Sequence, residues 1–248
     1  MHETAQHSAV SDALVGFAYG PLAASSKAAL EAAHARLSDA RASERDATAN
    51  ASQLAALLQS QGGGGNDLRV RAWTLGATLA KVNATFDVPV LASVVVIGDA
   101  IGASADDQQQ AAAIGIEAAA RVLAAVDSAE FRARWNVASA VGVLGAVLAA
   151  SRLYRLDTTR ARHALGVAAT QAAGLAHNVG RTMGAIETGK AAADAIEAAL
   201  IAKHGFTSAP ASIDGRRGLA ALMAYRFDPA EIVEGIGADW VSVGRSAG

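Results

Sequence analysis

Apolar positions recur at intervals of three and four residues along most of this chain, the spacing of one buried face on an α-helix. Ser11 to Tyr19 and Ser25 to Arg41 read as an entry helix and a longer amphipathic one, with Leu30, Ala33, Leu37 and Ala40 on one face and His34 at the surface. The Ala/Ser/Leu-rich stretch from Ala42 to Gln61 ends at four consecutive glycines, Gly62 to Gly65, which read as a connector because no regular element tolerates such a run cheaply. A phosphate cradle is the other reading, but no strand precedes the run and no Gly-Lys-Ser/Thr follows it. Arg69 to Val82 is the next helix, Asn83 to Pro89 a break, and Val90 to Gly102 a further helix. Within the last, Val94-Val95-Val96-Ile97 also fits a buried strand, since a short apolar run does not separate the two by period.

Ser104-Ala105-Asp106-Asp107 supplies an N-cap with acids in the first turn, which predicts a long helix through Ala125. Val137 to Leu156 follows, punctuated by Gly142 and Gly145, and Asp157 caps a helix from Thr158 to Ala173. Gly180 to Gly189 reads as an irregular stretch ahead of a helix from Lys190 to His204, with Gly205 placed for a left-handed terminal cap. Arg216 to Tyr225 is a short helix, and Asp228-Pro229-Ala230-Glu231 begins another. The expected fold class is all-α, as a single helical domain over residues 1–248, with no internal repeat and no boundary stronger than the glycine run.

Composition narrows the packing. Of 248 residues 52% are apolar but only 4% aromatic, and Ala pervades nearly every segment, so facing Ala and Gly should let helix backbones approach closely. With 21 basic and 23 acidic residues intermixed, no basic stripe suggests nucleic acid as a partner. No apolar run reaches the roughly 20 residues that span a bilayer; Val88 to Ile97 and Val137 to Ala150 are interrupted by Ser or Gly, so no membrane partner is expected. Met1 to Val10 lacks the basic and apolar regions of a signal peptide, and the chain has no Cys, which makes a cytoplasmic location the default expectation.

One set of segments goes beyond helical pattern. These are Trp135-Asn136-Val137-Ala138-Ser139-Ala140-Val141-Gly142 with Leu144-Gly145-Ala146, then Ala161-Arg162-His163-Ala164-Leu165-Gly166 through Gly174-Leu175. Gly189-Lys190-Ala191-Ala192-Ala193, Gly205-Phe206-Thr207 and Gly215-Arg216-Arg217-Gly218-Leu219 complete them, with Ala72 to Ala80 as an earlier buried helix. Together they resemble the MmgE/PrpD family of dehydratases and decarboxylases, over about Leu14 to Trp240 and most densely from Asn136 to Gly218. The resemblance implies a large helical domain, often dimeric, joined to a smaller α/β domain that closes over a small di- or tricarboxylate, with no cofactor. The chain stops soon after Ala238-Asp239-Trp240, close to where that second domain would begin, so a lid from the same chain is expected to be absent.

The family's catalytic positions are changed. Where it has His-Pro-Thr or His-Pro-Ser, this sequence has Asn136-Val137-Ala138-Ser139, and a neutral amide cannot serve as a general base. In its Thr-Lys-x-Leu-His-x-Gly segment, Gly184 stands at the Lys position and Glu187 at the His position, with Gly189 retained. Its Asp-rich loop is shortened to Asn83 to Pro89, with Asp87 the only charged residue and Lys81 just ahead.

The cleft implied by the resemblance should be lined by Lys81 to Asp87, Trp135 to Ser139 and His177 to Lys190. His177, Glu187, Arg181 and Asn136 are the candidate catalytic residues: Arg181 would hold a carboxylate, and His177 or Glu187 would move a proton. Lys81, Asp87, Trp135, Ser139, Asn178, Thr182 and Lys190 are the candidate substrate contacts. The plainer reading makes Arg181 and Glu187 a solvated ion pair, worth ~0 to 1 kcal/mol, and has His177 merely end a helix. No His-x-x-x-His or paired-carboxylate spacing predicts a metal, His163 and His177 lie too far apart to share a helix face, and Ser139 lacks a Gly-x-Ser-x-Gly elbow. Two functional classes remain: a diverged lyase or isomerase acting on a small acidic molecule as a homodimer, or a non-catalytic partner subunit or binding module that pairs with a related chain.

Overall fold

A computed structural model describes residues 7–50, 52–60, 62 and 66–244. Among them the helices are α1 (Ala9–Tyr19), α2 (Lys27–Asn50), α3 (Ser52–Ser60), α4 (Leu68–Val82), α5 (Val88–Ile101) and α6 (Ala105–Val126). They continue as α7 (Ala129–Arg134), α8 (Val137–Leu153), α9 (Thr158–Gln171), α10 (Thr182–Lys203), α11 (Leu219–Met223) and α12 (Ala230–Val233). No strand occurs among the described residues; the only pairing of that kind is isolated bridges such as Trp135 with Leu175. The chain is therefore all-α. Of the glycine run only Gly62 is described, in a turn at φ +84°; Gly63 to Gly65 lie outside the described residues, as does the polar N-terminus through Gln6.

Caps account for several helix starts. Ser8, Asp67, Ser104, Ser128 and Asp157 each accept a first-turn backbone N–H, at 2.8–3.1 Å. The valine run of α5 is helical, not extended: Pro89 sits in its first turn, Gly102 ends it in the left-handed conformation at φ 63°, and Val88 through Gly98 are all buried. Burial on every side overrides the modest helix propensity of β-branched residues.

α8 is the axis of the molecule, enclosed by α5, α6, α9 and α10. Close backbone approach sets its spacing. A Cβ on Gly145 would lie 2.1 Å from the Gly115 carbonyl, and one on Gly115 would lie 2.7 Å from that of Gly145. α4 and α10 meet in the same way, a Cβ on Gly189 falling 2.3 Å from the Trp73 carbonyl, and the Trp73 indole seals the contact by donating to Ile186 O at 2.9 Å.

Two corrections to the expected elements matter. α10 begins at Thr182, so the segment read as irregular from Gly180 to Gly189 is helical for most of its length. Its two glycines at 184 and 189 are contact points with neighbouring backbone, which gives them a reason other than chain breaking. α8 stops at Leu153, three residues early, where Arg155 takes a positive φ of 54°.

The last segment is held by a clasp that periodicity does not reveal. Arg121, 1% exposed, donates Nε to the Glu117 carboxylate at 2.7 Å, Nη1 to Glu234 O at 2.7 Å and Nη2 to Asp239 O at 2.7 Å. Glu117, fully buried, accepts the backbone N–H groups of Val241 and Ser242 at 3.0 and 2.9 Å. Trp240 is thereby seated edge-on against Phe17, ring centres 5.5 Å apart.

Candidate functional site

Asn136 occupies the N-cap of α8, a position where an Asn side chain usually accepts a first-turn N–H. Here it makes no such bond. The amide instead donates Nδ2 to the Gly184 carbonyl and to Glu187 Oε2, both at 3.2 Å, while the backbone N–H of Asn136 donates to Gly174 O at 3.0 Å. The N-cap residue is thus diverted from its helix toward a carboxylate on a neighbouring helix.

Glu187, partly buried, projects from the second turn of α10. Its other oxygen accepts the Asn178 side-chain amide, and no cation pairs with it among the described residues. Ser139 lies one turn into α8 with its hydroxyl donated to Ala173 O at 2.7 Å. Gly174 brings the 172–178 loop against this group. At φ +119° it has a backbone that L side chains rarely adopt, and a Cβ there would be 2.2 Å from Ser139 Oγ and 3.3 Å from Glu187 Oε2.

Of the three predicted segments, Trp135 to Ser139 and His177 to Lys190 meet at the first turns of α8 and α10, and Lys81 to Asp87 lies alongside them. Ala80, Val88 and Ala185 form a small apolar cluster, and a Cβ on Gly142 would be 2.6 Å from the Phe86 carbonyl. Their charged side chains divide differently. Asp87 turns to Arg36 of α2 at 3.3 Å and accepts the Thr85 hydroxyl. Lys190 bonds both oxygens of Asp194 at 2.6 Å, and Asp194 is pushed above its ordinary carboxyl range by burial, with Lys190 opposing. Trp135 donates its indole N–H to Met223 O at 3.0 Å. His177, Arg181, Thr182 and Lys81 are exposed, and their side chains hold no hydrogen bond or ion pair with described residues. Arg181 and Glu187 thus do not form the ion pair of the plainer reading.

Gly184 is informative for a separate reason. A Cβ there would lie 2.3 Å from the Asn178 carbonyl, so this backbone admits no side chain at the position that the sequence resemblance sets against the family's Lys. Among the described residues no three His, Asp or Glu side chains gather as a metal site, and no helix is long and apolar enough to cross a membrane. His163 is structural, its Nδ1 accepting the Ser208 N–H at 3.1 Å.

What these helices and this cluster define is an all-α scaffold with one carboxylate fixed by neutral amides where two helices begin. Residues 77–231, well over half of the chain, match the MmgE/PrpD N-terminal domain, and the chain belongs to that family. Human cis-aconitate decarboxylase is 32% identical over 112 residues, 45% of this chain and 23% of that protein. The match therefore spans about a quarter of that relative's length.

Proposed function

We propose that the chain is a diverged MmgE/PrpD enzyme that performs lyase or isomerase-type proton chemistry, without a cofactor, on a small carboxylate-bearing molecule. The observation that carries this reading is the Glu187 carboxylate, partly buried, aligned by Asn136 and Asn178 and neutralised by no cation among the described residues. A carboxylate held by two neutral donors keeps lone pairs free to accept a proton, and the exposed Arg181 and His177 on the adjoining segment supply positive or proton-bearing groups for an acidic substrate. Asn136, which replaces an imidazole, acts as a positioning residue. Likeness to a cis-aconitate decarboxylase supports the lyase class.

A panel of candidate acids makes the test practicable before any substrate is identified. The protein is incubated in D2O with hydroxy and unsaturated di- and tricarboxylates, cis-aconitate included, and proton loss, water loss or decarboxylation is followed by NMR. Turnover of at least one compound that falls tenfold or more in Glu187→Gln is expected. Absence of turnover across the panel, or turnover indifferent to Glu187→Gln, contradicts the assignment.

A second reading, a non-catalytic subunit paired with a related chain, is favoured by one observation. Leu175, Val179 and Met183 are 57%, 52% and 49% exposed around the cluster, an apolar rim of the kind that a partner covers. Co-purification with a second chain, and activity only in the mixture, would select it.

A further inference from the structure

A groove of about 1200 Å³ runs between the end of α9 and the 207–219 loop. Val167, Ala172, Leu219 and Met223 give it an apolar lining, and the Trp135 indole adjoins them. The opposite wall is fixed by His163, which accepts the Ser208 N–H at Nδ1 and the Ser208 hydroxyl at its carbonyl, 3.1 and 3.0 Å. Of the residues placed around Glu187 above, Trp135 borders this groove, and it makes no hydrogen bond to Glu187.

The Gly-Arg-Arg-Gly turn supplies its charge. A Cβ on Gly215 would lie 2.4 Å from Ala211 O and one on Gly218 2.7 Å from Ile213 O, so the turn is folded tightly on its own backbone. Arg216 and Arg217 between them are both exposed and both line the groove. Several other arginines find acids, as Arg41 finds Asp99 and Arg132 finds Asp127. Arg216 and Arg217 have no hydrogen-bond or ion-pair partner among the described residues, and the adjacent Asp214 is occupied by the Ser8 hydroxyl at 2.7 Å. Two neighbouring guanidinium groups repel until an anion bridges them, and each offers a planar fork matched to carboxylate or phosphate. Leu222, 75% exposed, extends the apolar surface at the rim. The volume exceeds what a small tricarboxylate fills and reaches the scale of roughly 300–1,000 Å³ typical of sites for larger ligands.

We propose that this groove is a binding site for an amphiphilic organic anion, with a carboxylate or phosphate held by Arg216 and Arg217 and an apolar body laid along Val167, Ala172, Leu219 and Met223. It is independent of chemistry at Glu187.

Calorimetry and intrinsic tryptophan fluorescence, to which Trp135 at the groove contributes, test it on the purified chain, with octyl phosphate and octanoate as probes, inorganic phosphate as head alone and 1-octanol as body alone. Saturable one-to-one binding of at least one amphiphile is expected, tenfold or more tighter than either fragment. Arg216→Gln/Arg217→Gln should weaken it at least tenfold while octanol is unaffected, and Glu187→Gln should leave it unchanged. Tighter binding of octyl phosphate assigns a phosphate head, and of octanoate a carboxylate head. No saturable binding at millimolar probe, equal binding by the double variant of unchanged circular dichroism, or octanol binding as tightly as the anions would overturn the proposal.

Discussion

Two polar groups sit among the apolar helices of this protein, and they are finished in opposite ways. At the Glu117–Arg121 clasp the guanidinium meets a carboxylate and several carbonyls while the carboxylate meets two further N–H groups, and both side chains are sealed from water. At Glu187 two neutral amides hold a carboxylate that remains partly exposed, and the exposed Arg181 and His177 nearby leave it unpaired. A buried charge without compensation is expensive, so the first arrangement must be complete to exist at all. The second is left incomplete, and Asn136 forgoes a capping bond of about 1 kcal/mol to make it. On the proposed reading, completion marks structure and bonding capacity kept in reserve marks a site.

The largest expected effect that separates the two is at the clasp. Arg121→Ala strands Glu117 in the interior and frees the 231–239 carbonyls, so urea unfolding should show a loss of about 3–5 kcal/mol, with residues 230–243 becoming sensitive to limited proteolysis. Gly145→Ala comes next. Helix propensity alone favours Ala by about 1 kcal/mol, but the Cβ meets the Gly115 carbonyl, and thermal melts should show a net loss of about 1–3 kcal/mol.

At the candidate site, Gly184→Lys should lower the melting temperature and raise no turnover above wild type, because the Asn178 carbonyl occupies the space. Gain of activity in that variant would show that the loop yields. The smallest effect concerns Tyr19, whose hydroxyl is buried without a partner among the described residues and is pushed up to about 12, chiefly by desolvation. A folded value above the unfolded one, about 10, means that this group's contribution to stability is present below pH 10 and is lost as pH rises toward 12. Tyr19→Phe should change stability at pH 7 by less than about 1 kcal/mol and flatten the alkaline decline between pH 10 and 12, measured by unfolding across that range.

Much of the fold is legible in the sequence because its signals are local. Ser104 and Asp157 announce helix starts, Gly205 with its φ of +89° lies just past α10 as its placement predicts, and the Ala/Gly content foretells the close approach at Gly115 and Gly145. The start of α10 is not legible in this way, because glycines ordinarily weaken helices. Gly184 and Gly189 are required there by the Asn178 and Trp73 carbonyls packed against them, and the second of these contacts comes from a distant helix. The clasp is hidden for a related reason. Glu117 and Arg121 look like an ordinary surface pair at helical spacing, and only their setting among Ala and Ile in α6 hints at burial. Within the site, Asn136, Asn178, Ser139 and Glu187 are candidates on sequence alone and lie together. Asp87 and Lys190 are grouped with them by chain position, but each has a closer partner, Arg36 and Asp194, that sequence alone does not place.

The distinction between clasp and cluster is tested most directly by the unfolding free energy of Glu187→Met, which keeps the bulk of the side chain and removes its charge. A residue kept for chemistry should be dispensable to the fold, so the variant should match the wild type within about 1 kcal/mol or exceed it. A loss of about 3 kcal/mol or more, comparable to breaking a buried pair, would show Glu187 to be a structural group and contradict the account.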